Sequence, residues 1–280
     1  MKKSLLALAV LAASGAAMAQ SSVTLYGVAD AGVTYVNGDK NWSGVTSGNN
    51  LTSRIGFRGV EDLGGGLKAN FRLEAGLNLD NGDGNSGYST SNAANGLAFK
   101  RQSTVGLEGG FGEVRLGREL TAAYNATARY DVFGSVGLGQ SRLWVNGDIA
   151  DDNVTAYKAA KTTNQRVSNA VTYVSPNFSG FKAAVNYGFG EVAGANSDSQ
   201  YLGAGLTYDN GPLSVGLGLE RLNKGANSVA TGKINVWSLG GSYDLGVAKI
   251  LAGYRESKVD LVAGDNKRKG YMLAVTAPVG

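Results

Sequence analysis

The segment LKANFRLEAGLNLD (residues 67–80) alternates apolar and polar positions without a break. Successive side chains of a β-strand point to opposite faces, so this period of two predicts a strand with one apolar and one polar face. A strand of a soluble sandwich would show the same alternation, but such strands usually run about five or six residues. A strand that crosses a bilayer at a tilt needs about nine to eleven. The length therefore favours a membrane strand.

The same alternation recurs in later segments, at residues 181–190, 201–208 and 271–277. Turn signals separate the segments: EDLGGG, GGFG, SPNFSG, DNGP, DLG and APVG. Short turns at one end and longer polar loops at the other are typical of a barrel built from hairpins, and two strands per turn predict about twelve strands. Aromatic residues on the apolar face near strand ends predict interfacial girdles; they are Phe181, Tyr187, Phe189, Tyr208 and Tyr271.

The first residues, MKKSLLALAVLAASGAAMAQ, have two lysines, an apolar stretch and small residues that end in Ala17-Met18-Ala19. This pattern predicts an export signal over residues 1–19, cleaved after Ala19, and a mature domain over residues 20–280. Beyond residue 20 no stretch approaches the roughly eighteen apolar residues of a spanning helix. Only helices and closed barrels satisfy every backbone polar group in lipid, so the sequence predicts an all-β, transmembrane antiparallel β-barrel.

Composition narrows the function classes. The chain has no cysteine and no histidine, and without histidine it lacks the usual general base near neutral pH and the commonest metal ligand. We therefore expect a protein that is not an enzyme and that uses no cofactor and no metal. The whole chain has 26 basic and 22 acidic residues. Removal of the signal takes away Lys2 and Lys3 and leaves 24 basic residues against 22 acidic ones. So small an excess of positive charge does not indicate nucleic-acid binding.

Two short motifs have alternative interpretations. GDGNSG (residues 82–87) matches the dinucleotide pattern G-x-G-x-x-G, but that pattern requires a helix to follow, and a loop-like sequence follows here. Asp148, Asp151 and Asp152 could supply oxygen ligands to a divalent cation. We interpret them as a solvated acidic stretch.

A long segment without a sustained period lies between EVRLGRE (113–119) and RVSNAVTYVS (166–175). Loops of more than about fifteen residues are usually functional or disordered. This one contains apolar and aromatic groups in AAYNATARYDVFGSVGLG (122–139), which argues against simple disorder. The sequence therefore predicts a functional loop.

The motifs SSVTLYGVADAGVTYV, SRIGFRGVEDLGGGLKANFRLEAGLNLD, GLEGGFGEVRLGRE and the DVFG of the long segment resemble the general diffusion porins of Gram-negative outer membranes, especially the beta-proteobacterial type. The resemblance implies a sixteen-stranded, usually trimeric barrel whose third extracellular loop folds into the lumen. It implies a water-filled channel for small hydrophilic solutes and ions, surrounded by outer-membrane lipid.

In that family, acidic groups on the loop face a ladder of arginines on the opposite wall. Carried onto the matching motifs, the wall residues are Arg54, Arg101 and Arg166. The loop acid is Asp131, with Glu119 as a second acid, because Val132 stands where many relatives have a glutamate. Alternation places Arg54 on the polar face. It places Arg101 on the same side as Val105 and Leu107, so only the resemblance puts Arg101 in the lumen.

The candidate cations outnumber the candidate acids. Arg58, Lys68 and Arg72 on adjoining polar faces add to the excess, and Glu74 and Asp80 offset part of it. Fixed charges on walls of low dielectric raise the local concentration of counter-ions, so the sequence predicts a modest anion preference.

The resemblance also carries an expectation about the end of the chain. Gly280 stands about twelve strands in, before the family's remaining four strands and C-terminal aromatic residue. We therefore expect an incomplete barrel at the C-terminus, with the homotrimer a property of the full-length form. The alternatives are a substrate-specific outer-membrane channel, which would need an aromatic track along the lumen, and a structural or adhesive barrel, whose long segment would extend outward.

Overall fold

The structure is a computed structural model that describes residues 22–85, 96–137, 139, 141, 143–144, 165–190, 200–223, 230–261 and 264–278. The predicted signal at residues 1–19 and the acidic stretch with Asp148, Asp151 and Asp152 lie outside the described residues. Within them, no helix has the length and hydropathy needed to cross a membrane.

The described residues form strands and one short helical segment. The helix α1 spans Ala122–Thr127 and continues as a 3-10 turn over Ala128–Tyr130. The strands are β1 (Ser22–Val28), β2 (Ala31–Val36), β3 (Trp42–Ser47), β4 (Arg54–Gly64), β5 (Leu67–Leu77), β6 (Gly84–Asn85), β7 (Gln102–Gly109), β8 (Gly112–Leu120), β9 (Arg166–Val174), β10 (Phe181–Gly188), β11 (Tyr201–Asn210), β12 (Leu213–Asn223), β13 (Ala230–Asp244), β14 (Lys249–Leu261) and β15 (Asn266–Thr276).

One antiparallel sheet contains almost all of these strands. Its order is β1-β4-β5-β7-β8-β9-β10-β11-β12-β13-β14-β15, and β6 pairs with β5 beside this path. The hairpin β2–β3 forms a separate two-stranded sheet. The twelve strands on the main path confirm the predicted antiparallel all-β fold and the predicted strand number. In the described part of the chain, β1 and β15 are the two edges of the sheet.

The segment that alternates over residues 67–80 forms β5 over Leu67–Leu77 and turns after it. Its eleven residues match the length that a tilted bilayer-spanning strand requires, about nine to eleven. Strand β5 pairs with β4 and with β7 on its two sides. The sequence therefore predicted both the element and its length class.

The two faces of the sheet differ in chemistry. On the outer face large apolar side chains are exposed, among them Leu25, Val105, Leu116, Leu206, Leu239 and Leu273. A soluble monomer rarely exposes an apolar patch of more than a few hundred Å², so this face is suited to lipid. The inner face carries polar residues, glycines and the segment that includes α1.

Aromatic rings lie near both ends of the outer face. Phe181 and Tyr208 contact each other close to the short turns, with ring centroids 4.3 Å apart. Tyr187 and Phe189 pair at 4.9 Å close to the long connections. This arrangement fits the girdles of a membrane barrel, because amphipathic rings favour the two membrane–water interfaces.

Candidate functional site

The long segment after β8 turns inward. Thr121 caps α1, since its Oγ1 accepts a hydrogen bond from the backbone N–H of Tyr124 at 3.1 Å. The helix then packs on the inner face of β11, β12 and β13. This placement agrees with the loop that the porin resemblance implies.

Glycines on the inner wall make room for this helix. A Cβ on Gly205 or Gly216 would lie under 3.0 Å from the backbone oxygen of Ala122 or Ala126, respectively. One on Gly218 would come as close to the backbone oxygen of Ala123. The absence of side chains there lets two backbones approach closely.

Two further glycines make room for two aromatic side chains of the same segment. A Cβ on Gly240 would lie under 3.0 Å from the Tyr130 ring, and one on Gly253 would lie equally close to the Trp144 indole. Tyr130 and Trp144 are both 1% exposed. Burial of the Tyr130 hydroxyl raises its pKa, because the phenolate would be poorly solvated there.

A buried ion pair on the same wall contacts the segment at its start and again at Leu143 and Trp144. Glu220 on β12 and Arg255 on β14 approach each other at 3.6 Å, with side chains 6% and 4% exposed. At the start of the segment, the Thr121 hydroxyl donates to Glu220 at 3.4 Å. Further along, Arg255 Nη1 donates to the backbone oxygens of Leu143 and Trp144 at 3.4 and 3.2 Å. The Glu220–Arg255 pair therefore holds the segment to the wall at two places, Thr121 and Leu143–Trp144.

Two further contacts hold the helix. The backbone N–H of Ala122 donates to Asn186 Oδ1, and Asn186 Nδ2 donates to Thr172 Oγ1 at 2.5 Å. At the other end, Arg129 makes a bidentate pair with Asp209 at 2.7 and 3.0 Å. Bidentate guanidinium–carboxylate pairs fix orientation as well as distance.

The inner face of β4, β5 and the start of β7 carries a group of arginines around one carboxylate. Glu74 lies at its centre: Arg101 Nε donates to Glu74 Oε1 at 2.8 Å, and Arg54 Nε lies 3.8 Å from Oε2. Tyr26 OH donates to the same Oε2 at 3.0 Å.

The remaining members attach through Tyr26 and Arg101. Arg72 Nε donates to Tyr26 OH at 3.1 Å. The guanidinium carbons of Arg58 and Arg72 lie 5.6 and 5.5 Å from the Tyr26 ring centroid, within cation–π distance. Arg166 Nε donates to the backbone oxygen of Arg101 at 2.9 Å. We call Arg54, Arg58, Arg72, Arg101 and Arg166 the arginine cluster.

The predicted wall residues Arg54, Arg101 and Arg166 thus come together in this cluster. Arg101 precedes the first residue of β7, so the alternation of that strand does not govern it, and its side chain reaches Glu74 on the polar face. Arg166, the first residue of β9, is 6% exposed. Their role in the constriction stays a prediction.

The two predicted acids have partners near their own positions. The Glu119 carboxylate pairs with Arg115 at 2.7 Å, and Arg115 also pairs with Glu113 at 2.6 Å. The Asp131 carboxylate accepts hydrogen bonds from the backbone N–H groups of Phe133 and Ser135, each at 3.1 Å, and is 6% exposed. Asp131 therefore shapes the turn of the inserted segment, and its role as the acid facing the arginines stays a prediction.

Comparison with known proteins agrees with the fold and with the inward placement of the long segment. Residues 5–280 match the family model described as Gram-negative porin. The chain belongs to the Gram-negative porin family. Outer membrane porin protein 32 of Delftia acidovorans is 46% identical over 291 residues, which cover 100% of this chain and 77% of that protein. An outer membrane porin protein of Bordetella pertussis is 36% identical, over 100% of this chain and 74% of its own length.

Solved structures show the same fold. An anion-selective porin from Comamonas acidovorans superposes with a TM-score of 0.77 and 41% identity, over 93% of this chain and 75% of that one. Salmonella typhi OmpF superposes with a TM-score of 0.66 at 17% identity and supports the fold alone. This porin is an outer-membrane protein that forms a water-filled channel for passive diffusion, and its family is one of channels rather than enzymes.

Sequence reasoning missed two parts of the site. Glu74 entered it only as a charge that offsets others, although its position on the polar face of β5 beside Arg72 could have indicated a partner for the arginines. The Glu220–Arg255 pair joins residues on strands separated by β13. No local signal marks it, because contact between these strands depends on the register of both ladders.

Proposed function

We propose that the channel prefers anions weakly and that the arginine cluster provides the preference. The supporting observation is that five arginines share one carboxylate on the inner wall: two of them contact Glu74 directly, and the other three attach through Tyr26 or the Arg101 backbone. Arg54 is 27% exposed, so part of the cluster faces the open inner side. Fixed charges that line a cleft with low-dielectric walls concentrate counter-ions.

The neighbouring charges on the same wall reduce this excess without reversing it. Arg115 lies between Glu113 and Glu119, which leaves this trio one negative charge in excess. The cluster with Glu74 has an excess of four positive charges. The Comamonas acidovorans protein, 41% identical to this chain, is named an anion-selective porin, which supports the same direction here.

Reversal potentials in planar bilayers under a KCl gradient test the proposal. We expect anion preference in the parent and a shift towards cations in the Arg54→Ser, Arg101→Ser variant. The matched control is Lys233→Ser with Lys269→Ser, which removes two cations from the outer face and should leave the reversal potential unchanged. Cation preference in the parent, or no shift in the arginine variant, would contradict the proposal.

Salt provides a second check on the same channel. The Debye length is about 10 Å at 0.1 M and about 3 Å at 1 M. If the fixed charges of the wall cause the preference, it should decrease as the mean salt concentration rises at a constant gradient. A preference that is independent of salt would point to a steric cause.

We also propose that the porin assembles as a homotrimer, as the family resemblance implies. Heat-modified gel mobility of the refolded protein tests this assembly. A compact trimer band that disappears on boiling supports it, and a monomer band at all temperatures contradicts it.

A further inference from the structure

The Tyr26 side chain crosses one strand of the inner wall that carries the arginine cluster. Ladder pairing sets Tyr26 on β1, Gly56 on β4 and Glu74 on β5 in one row. A Cβ on Gly56 would lie under 3.0 Å from the ring and the hydroxyl of Tyr26. The bare backbone of Gly56 therefore leaves the space in which the tyrosine passes over β4. Its hydroxyl then donates to Glu74 Oε2 at 3.0 Å.

The next row of this wall places two arginines directly opposite each other. Arg58 on β4 pairs with Arg72 on β5. Like charges that face each other across a ladder are unfavourable. In the part of the chain that the structure describes, neither guanidinium forms an ion pair with a carboxylate. The two cations therefore need another source of stabilisation.

The Tyr26 ring supplies part of it. The guanidinium carbons of Arg58 and Arg72 lie 5.6 and 5.5 Å from the ring centroid, a distance at which the face of an aromatic ring attracts a cation. Arg72 Nε also donates to the Tyr26 hydroxyl at 3.1 Å, and Arg72 Nη1 donates to Gln102 Oε1 at 3.3 Å. Neutral groups thus hold both cations in place.

The Tyr26 hydroxyl also separates Arg72 from Glu74. These two residues are two positions apart on β5 and share its inner face, so their Cα atoms lie roughly 7 Å apart. Long side chains can meet at such a distance. Arg101, however, donates to Oε1 of Glu74, and the Tyr26 hydroxyl donates to Oε2. Arg72 Nε consequently donates to the tyrosine instead of the carboxylate.

We infer that Tyr26 is a positioning residue for ion selectivity. It keeps Arg58 and Arg72 from pairing with Glu74, so both guanidinium groups stay available to anions in the lumen. A guanidinium without a carboxylate partner can donate two parallel hydrogen bonds to an oxyanion, and Arg58 is exposed on this wall. The consequence for selectivity rests on the proposed anion preference, whereas the placement of Arg72 does not.

Substitutions of Tyr26 test this role because they change no charge. In Tyr26→Phe the lost hydroxyl frees Glu74 Oε2, so Arg72 should turn to it and the reversal potential under a KCl gradient should shift towards cations. Tyr26→Leu also removes the ring and should increase the shift. Both shifts should be smaller than that of the double arginine variant, which removes two charges. The matched control is Tyr243→Leu, a tyrosine exposed on the outer face of β13, which should cause no shift.

A background without the carboxylate distinguishes positioning from a general disturbance of the wall. In Glu74→Gln, Arg72 has no carboxylate to turn to, so the addition of Tyr26→Phe should cause no further shift. A shift of equal size in both backgrounds would overturn the proposal. The absence of a shift when Tyr26→Phe is made in an anion-preferring parent would overturn it as well.

Crystal structures of the parent and of Tyr26→Phe measure the placement without reference to selectivity. We expect an Arg72 nitrogen within about 4 Å of a Glu74 carboxylate oxygen in the variant, the distance of an ion pair. An Arg72 guanidinium that keeps its parent position would overturn the proposal. A parent channel without anion preference would contradict the proposed function, and these two structures would then decide the role of Tyr26 by themselves.

Discussion

The inner face of β11–β14 carries glycine where the inner face of β4–β8 carries arginine and glutamate. On the first wall Gly205, Gly216, Gly218, Gly240 and Gly253 lie against the inserted segment. On the second wall the arginine cluster lies around Glu74, and the one helix among the described residues, α1, packs on β11, β12 and β13 instead. One wall holds the segment that fills part of the lumen, and the other holds the charge.

The difference shows how one ladder pattern serves two purposes. A wall that accepts a helix needs bare backbone, because any side chain there would occupy the space of the helix. A wall that faces water can hold a guanidinium such as that of Arg54 at low cost, since this group is 27% exposed and keeps part of its hydration. The Glu220–Arg255 pair is the exception, a pair of charges buried on the helix-bearing wall. Its loss can be compared directly with the loss of a partly exposed ion pair on the other wall.

The largest effect is expected from Arg255→Ala. Removal of one partner from a buried ion pair leaves an uncompensated charge and costs about 3–5 kcal/mol. Urea unfolding of the protein in liposomes, followed by tryptophan fluorescence, measures the loss. The same change on the other wall, Arg54→Ala, should cost under about 1 kcal/mol, because Arg54 is 27% exposed and lies 3.8 Å from Glu74.

The double variant Glu220→Gln, Arg255→Met refines this prediction. It removes both charges, so it should unfold less easily than Arg255→Ala alone. Protease cleavage within residues 121–137 should increase in the same order, since the pair contacts Thr121 before this stretch and Leu143 and Trp144 after it. Equal losses for Arg54→Ala and Arg255→Ala would remove the distinction between the two walls.

A smaller loss is expected from Gly216→Ala. The new Cβ would meet the Ala126 backbone oxygen and the Tyr130 ring, and overpacking of this kind typically costs about 1–3 kcal/mol. The control is Gly241→Ala on the outer face of β13, where the nearest atom to a Cβ is 3.3 Å away. Because α1 must shift, single-channel conductance should change in the first variant only. Equal conductance in both variants would contradict close packing of the helix on this wall.

Glu74→Gln tests the charged wall and should affect stability less than selectivity. It removes the carboxylate that Arg54, Arg101 and Tyr26 contact, so the excess positive charge of the cluster grows by one. We expect the reversal potential under a KCl gradient to shift further towards anions. Glu61→Gln makes the same charge change at a position whose alternation puts it on the outer face of β4, and should produce no shift. A shift towards cations in Glu74→Gln would show that the cluster does not set the selectivity.

The smallest effect concerns Asp30, in the connection after β1. Its carboxylate accepts hydrogen bonds from the backbone N–H groups of Leu51, Asn49 and Asn50 at 2.9, 2.8 and 3.1 Å, and these bonds, Leu51 first, lower its pKa. These hydrogen bonds should therefore be fully formed above the ordinary Asp pKa of about 3.9. They should be lost as the pH falls through the lowered pKa of Asp30 in the folded protein.

Hydrogen exchange of the three amides measures this order as a function of pH. In Asp30→Asn the amides should exchange faster at neutral pH and show no further step in acid. The turn touches the inserted segment, since the Asn49 backbone oxygen lies against Gly137. An acid step that persists in Asp30→Asn would assign the pH dependence to another group.

Much of the fold could be predicted because strand alternation is local. The pattern in residues 67–80 predicted β5 and its polar face, and the turn signals predicted twelve strands along the main path. The same reasoning placed Arg54 on the inner side. It placed Arg101 on the outer side, because it extended the alternation of β7 one residue beyond its first residue, Gln102.

The sequence by itself determined which side chains share a face, since that depends only on the period of two along each strand. It determined the lipid-facing surface and the long segment between β8 and β9 in the same way. The tertiary structure decided which faces meet: that α1 lies on glycines of β11 and β12, that Glu220 reaches Arg255 across β13, and that Glu74 lies among the arginines. These contacts join residues far apart in the chain, and their partners depend on the register of several ladders together, which no single segment encodes.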